Sequence, residues 1–389
     1  MPRSSRSPAR VVAIGAAANV ACLLPVFLTG SMATFIESDL GLGAATLGFA
    51  VALYRGAGAL VSPLMGRRTD RIGATKSVRL ATGVAAVASL GIALTARSTT
   101  VLILWLMVAG CSVALAQPAA NRLLAAGVTA GGLGRAFGFK QSAPPMASTL
   151  AGLSVPLIAV TIGWRWAFVI AAAIAAALTL GVRPVPRVSR SRGERRVGGP
   201  TADRMTILVL AVAFGLGTSV SSSITTFYVI SVVERGTDDV LGGTFLAVAG
   251  ILAVLTRIVA GWVSDRVPRD HLKGSAVMAA FGAGGVAALA VADSVPVQAI
   301  AVIVALVGTW GFNGVFWFAL IKAFPGSPGT ITGAVAPGAL LGSTVGPIAF
   351  GFIAETTGYP AAFGVFAIVA LGTAVGLLAG NARLRAYSA

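Results

Sequence analysis

The chain has 389 residues, 56% of them hydrophobic and 11% charged, against about 25% charged in a soluble domain. Water is thereby excluded as the main solvent. The formal net charge of +17 would suggest nucleic acid in a soluble protein, but here the arginines sit in short connections between apolar runs, which is the pattern of membrane topology.

A hydrocarbon core roughly 30 Å thick needs about 20 apolar residues per spanning helix. Met1 to Arg10 is basic like the start of a signal peptide, but the apolar run from Val11 continues for about 25 residues, beyond the about 15 of a leader's apolar region, so it reads as an uncleaved first span. The predicted spans are 11–35, 45–65, 77–97, 100–122, 137–160, 165–182, 205–230, 241–262, 274–292, 296–321, 330–353 and 360–380. The runs are continuous rather than alternating, which favours helices over barrel strands. Cys22 and Cys111 both lie inside apolar runs. They read as packing residues, with no disulfide framework or metal cluster available.

Orientation follows from the alternate connections. One side collects Arg3, Arg6 and Arg10, then Arg67, Arg68, Arg71, Lys76 and Arg79, then seven arginines in the linker 183–204. The opposite loops hold Arg97, Arg165 and Arg235. The positive side faces the cytoplasm, so both termini are expected there, in a multi-pass inner-membrane protein. All twelve carboxylates fall near span ends.

The linker 183–204, rich in Arg, Ser, Gly and Pro, divides the spans six and six, giving expected bundles at 1–182 and 205–389. Its basic run suits a solvated face near anionic lipid. At an offset of 195 residues, Gly66, Asp70, Arg71, Gly138, Gly163 and Phe168 coincide with Gly261, Asp265, Arg266, Gly333, Gly358 and Phe363. Such duplicated bundles are a known transporter plan.

The loop Gly66-Arg67-Arg68-Thr69-Asp70-Arg71-Ile72-Gly73 after span two, its echo Gly261-Trp262-Val263-Ser264-Asp265-Arg266 after span eight, and the six-plus-six layout resemble the major facilitator superfamily over nearly the whole chain. The resemblance implies an all-α membrane fold of twelve transmembrane helices in two pseudo-symmetric bundles. It also implies that Gly66, Asp70, Arg71, Gly73, Gly261, Asp265 and Arg266 form conformational gate segments. A surface anchor is the other reading of these loops. The second copy has Pro268 near the place of the later glycine, and the exporter motif Gly-x-x-x-Gly-Pro appears in span five only as Ala143-Pro144-Pro145-Met146-Ala147, with a Gly342-x-x-x-Gly346-Pro347 match in span eleven.

Arg55 lies in span two, eleven residues from Gly66, or about 16 Å along a helix. That places a charge near midplane, where an ionisable residue points to function. Its planar fork matches a carboxylate, although capping of helix carbonyls is the alternative role. Arg257, one turn before Gly261, is a second candidate anion group or a snorkelling side chain. Lys140 with Gln141 in span five has the same two roles. In span seven, Ser219, Ser222, Ser223 and Thr226 share a helix face that would line a wet cavity or bond its own backbone. Trp310, Asn313 and Trp317 recur at helical spacing in span ten, either as cavity wall or as core. Asn19, Gln117 and Asn121 add polar groups to spans one and four, and His271 reads as a solvated loop residue.

No phosphate-binding glycine loop, catalytic triad or nucleotide-binding domain is present in the sequence, so neither an enzyme nor a cofactor is expected. The reading is a monomeric secondary carrier of a small organic solute by alternating access, leaning to anions because the deep charges are positive. Membrane lipids and protons are its expected further partners. A proton-coupled exporter of drug-like or antibiotic molecules is the alternative, and a non-transporting receptor or an intramembrane enzyme represents a different class.

Overall fold

The computed structural model describes residues 8–128, 133–182, 203–266, 270–324 and 328–388. The regular structure there is helical, as hydrocarbon requires of a chain that must satisfy its backbone groups within each segment. In order the helices are α1 (Pro8–Ser31), α2 (Ala33–Leu40), α3 (Ala44–Ile72), α4 (Ala74–Thr95), α5 (Thr99–Gly127), α6 (Leu133–Gln141), α7 (Ala143–Ser154), α8 (Val160–Ile162), α9 (Trp164–Gly181), α10 (Arg204–Val233), α11 (Asp239–Arg266), α12 (His271–Ala290), α13 (Val295–Ala323), α14 (Pro328–Thr357) and α15 (Tyr359–Ser388). A π-helical turn, Val155–Ala159, joins α7 to α8.

Among the described residues twelve helices are long and apolar enough to cross a membrane, from Ala9–Ser31 to Tyr359–Arg385. Their bounds follow the predicted spans closely. The first run is broken at Met32, and the fifth at Ser142, before Pro144 and Pro145. From residue 183 to 202 the linker lies outside the described residues.

Local chemistry fixes the start of several helices. Ser98 caps α5, Asp203 caps α10 and Asp270 caps α12, each side chain accepting from a backbone N–H three residues on. Gly163 and Gly358, equivalent in the repeat, turn the chain into α9 and α15 with φ of +96° and +87°. That conformation strains any L side chain, which explains why both copies keep glycine.

The chain divides into two units, Met1–Leu42 with Leu53–Ser189, and Gly43–Ala52 with Arg190–Ala389. In the first, α1 packs on α5, α7 and α9, and α4 on α5 and α9. In lipid the contact between helices depends on small residues and backbone approach. A Cβ on Gly110 of α5 would lie 1.9 Å from the Tyr54 carbonyl oxygen of α3, so these backbones touch. The Tyr54 hydroxyl then donates to the Cys22 carbonyl of α1 at 2.9 Å. At one end of this unit, Asp39 accepts from the Trp164 indole at 3.1 Å and from Arg165, whose other nitrogen donates to the Ala96 carbonyl at 2.9 Å.

In the second unit, α12 packs on α13 and α15, and α10 on α14 and α15. Gly282 and Gly308 bring α12 and α13 together, and Gly215 and Gly342 do the same for α10 and α14. Phe214, Phe312, Phe316 and Leu320 form an apolar core beside them. Residues 43–52 join this unit through α14. Gly48 meets the Pro347 backbone, and Glu355 Oε2 accepts from the Ala45 amide at 2.7 Å. Large side chains such as Leu60, Leu180, Phe352 and Ile368 are exposed, as suits contact with lipid.

Gly110→Ala forces a methyl onto a carbonyl and is expected to destabilise by about 2 kcal/mol or more, whereas Gly181→Ala, with nothing within 4 Å of the added Cβ, should be neutral or better. Equal melting temperatures for the two in detergent would refute the close crossing. Hydrogen bonds from Arg165 and then Trp164 hold the Asp39 carboxyl below its ordinary range. A depressed value stabilises the fold above the unfolded pKa of about 3.9 and ceases to do so as pH falls through the folded value. With both side chains near 40% exposed, Asp39→Asn should lose at most about 1 kcal/mol at neutral pH. That difference should close in acid, and a gap that persists to about pH 2 would show the bond does not act through the charge.

Candidate functional site

The crossing of Tyr54 on Gly110 fixes the middle of α3, and Arg55 is the next residue. Its side chain is partly buried. Nε is fully enclosed and has no hydrogen-bond partner among the described residues. The helix-carbonyl role expected of a structural arginine is therefore not seen. The ion pairs of Arg165 with Asp39, Arg383 with Asp203 and Arg385 with Asp270 all lie at helix ends and do not involve Arg55.

Lys140 sits in the same unit, 3% exposed. Pro144 and Pro145 lack the N–H groups that would bond the carbonyls of Lys140 and Gln141 in a continuous helix, so the chain breaks at Ser142 and α6 ends on this pair. Lys140 Nζ donates to Gln117 Oε1 of α5 and, at 3.4 Å, to Gln141 Oε1. Asn19 of α1 is buried; its Nδ2 donates to the Gly15 carbonyl at 2.7 Å, while Oδ1 is enclosed without a partner. Asn121 is exposed.

In the second unit Arg257 turns toward α13, where Nε donates to the Trp310 carbonyl at 3.0 Å and its stem passes Gly314. This is a backbone anchor rather than a snorkelling side chain. The hydroxyls of α10 also meet backbone. Ser219 donates to the Leu216 carbonyl, Ser222 to that of Ser343 on α14, Ser223 to that of Ser219 and Thr226 to that of Ser222. All four are buried. Trp317 packs edge-on against Phe214 with ring centroids 4.9 Å apart, Trp310 is 4% exposed, and Asn313 between them is half-buried.

Of the gate segments, Gly66 has open space where a Cβ would be, Arg71 is exposed, and Gly73 turns α3 into α4 with φ +87°. The side chains of Asp70, Asp265 and Arg266 and the surroundings of Gly261 lie outside the described residues. Two further groups carry weight here. Arg122 of α5 donates to the Thr69 carbonyl at 3.2 Å, bracing the last turn of α3, and Glu355 binds the first turn of the same helix. Arg122 ends a span just where basic residues gather for topology, which hides a bracing arginine among anchoring ones. His271 faces Lys322, with Nε2 to Nζ at 3.3 Å.

A family model described as Major Facilitator Superfamily matches residues 14–339. Among solved structures, a bacterial homologue of the human lysosomal transporter Spinster is similar in two inward-facing forms. The occupied form has a TM-score of 0.76 at 15% identity, covering 100% of this chain and 98% of that one. The unoccupied form has a TM-score of 0.70 at 16% identity, covering 98% and 97%. No curated protein matches.

Proposed function

The chain belongs to the major facilitator superfamily of transporters, and on that premise we propose that it is a secondary carrier of a small organic anion. It works by alternating access in the inner membrane, with residues 1–182 and 205–389 as its bundles and 183–204 as a cytoplasmic linker. The observation that carries the anion reading is Arg55, a mid-span guanidinium whose enclosed Nε has no partner among the described residues. An enclosed guanidinium N–H without an acceptor is costly. An anion that supplies the missing charge gains a paired, charge-assisted bond in a site of low dielectric. Lys140 adds a further interior basic group, held by amide oxygens among the described residues.

Organic anions are favoured over drug-like molecules because Phe316 and Trp317 of α13 pack on Phe214 and on one another, which ties these two rings into the core. The gate role of Asp70 and Arg71 is proposed on the family resemblance, with Arg122 steadying the turn that carries them.

The positive connections support a topology with both termini in the cytoplasm. Alkaline phosphatase fused after Pro200 is expected to be inactive, and an active fusion would reverse the orientation. Arg55→Ala removes an uncompensated charge, so the variant should melt no lower than the parent while affinity for organic anions falls about 30-fold, the equivalent of about 2 kcal/mol. Arg55→Lys should recover only part, lacking the planar fork. Wild-type affinity in the purified alanine variant would end the anion-site reading.

A further inference from the structure

Lys140 Nζ is held by two acceptors, Gln117 Oε1 and Gln141 Oε1, and by nothing else among the described residues. A neutral amine has two N–H groups and a lone pair, whereas an ammonium has three N–H groups. Two amide oxygens therefore complete the donors of the amine. They leave the third N–H of the ammonium with no acceptor inside a buried pocket, an arrangement that disfavours the charge.

Among the described residues, the helices packed on α6 offer no counter-charge. The helices packed on α6 are α1, α5 and α7, and their charged or titratable residues are Arg10 and Cys22 on α1 and Cys111 and Arg122 on α5. Arg10 is exposed, Cys22 lies in a cluster with Ala81 and Leu115, Cys111 Sγ faces the Ala57 carbonyl, and Arg122 bonds the Thr69 carbonyl. Arg135, on α6 itself, has its side chain outside the described residues. No carboxylate occurs on any of these helices. Across the chain all twelve carboxylates lie near or beyond the ends of the spans, so no acid is placed to carry a proton through the interior.

We propose that Lys140 is the coupling residue of the carrier, admitting an anion only together with a proton. The proton adds to the Nζ lone pair as the anion arrives, and the new third N–H donates to that anion. On release the N–H bond breaks again, returning the proton to solution and the amine to its two glutamines. One proton then travels with each monovalent anion, and the pair crosses without net charge. This rests on the anion-carrier reading above.

The test uses the full chain in proteoliposomes loaded with a pH-sensitive dye and supplied in turn with gluconate, succinate, glycerol 3-phosphate and benzenesulfonate. Benzenesulfonate stays ionised throughout, so any proton moving with it is carried by the protein. The expected result is entry of protons and monovalent anions in equal numbers. In Lys140→Arg, whose charge is permanent, the proton-to-anion ratio should fall to zero and the slowed anion flux should respond to membrane potential. Lys140→Gln should move neither, while eluting as a folded, monodisperse species. Anion flux without protons in the parent, or proton flux surviving in either variant, would overturn the coupling role alone. Absence of flux for all four anions in the parent would overturn the carrier reading, and the coupling role with it.

Discussion

Inside hydrocarbon, burying apolar surface gives helices no reason to associate, since lipid tails are as apolar as leucine. Cohesion must come from dispersion between closely packed backbones and from the few polar contacts the interior allows. In this chain that constraint acts through glycine. Gly110 admits the Tyr54 carbonyl, Gly308 meets Gly282, and Gly342 meets Gly215. Each crossing fixes the rotation of the helices it joins, and with it the direction of every polar side chain nearby. Arg55 follows directly from Tyr54, so the residue with the clearest claim to function is held in place by a contact that contains no charge at all.

The two halves share what the fold needs and differ in what chemistry needs. Gly163 and Gly358 occupy equivalent turns with the same left-handed backbone. The counterparts of Arg55 and Lys140 at the same offset are Gly250 and Val335. The repeat thus keeps its turns, while Arg55 and Lys140 have no basic counterpart in the other half. A carrier that must bind a small asymmetric solute has no use for two equivalent charge sites. A tight turn, by contrast, is required wherever two spans meet.

The architecture was legible because apolar length and loop charge are averages over some twenty residues and survive local irregularity. The break at Ser142 is hard to read as a helix end, although Pro144 and Pro145 are in plain view, because a proline pair also suits the first turn of a helix and the apolar run resumes at Ala143. The site was legible in part. Arg55 stood out since one charge in a long apolar run has few explanations. The hydroxyls of α10 did not resolve, because a serine pattern on one face is the same whether the donors meet water or the carbonyls a turn back, and here they meet carbonyls. Partners distant in sequence, such as Gln117 for Lys140 or Glu355 for Ala45, required the fold.

That density of serine and threonine in α10 bears on mechanics. A hydroxyl that donates to the carbonyl three or four residues back shares an acceptor already engaged by the helix ladder, which weakens the ladder slightly and favours bending. Between Ser219 and Thr226 several such bonds fall on consecutive turns. This stretch is enclosed on all sides. It is therefore a compliant, enclosed stretch of an otherwise partly exposed helix, able to flex by trading one carbonyl for another without exposing a polar group to lipid.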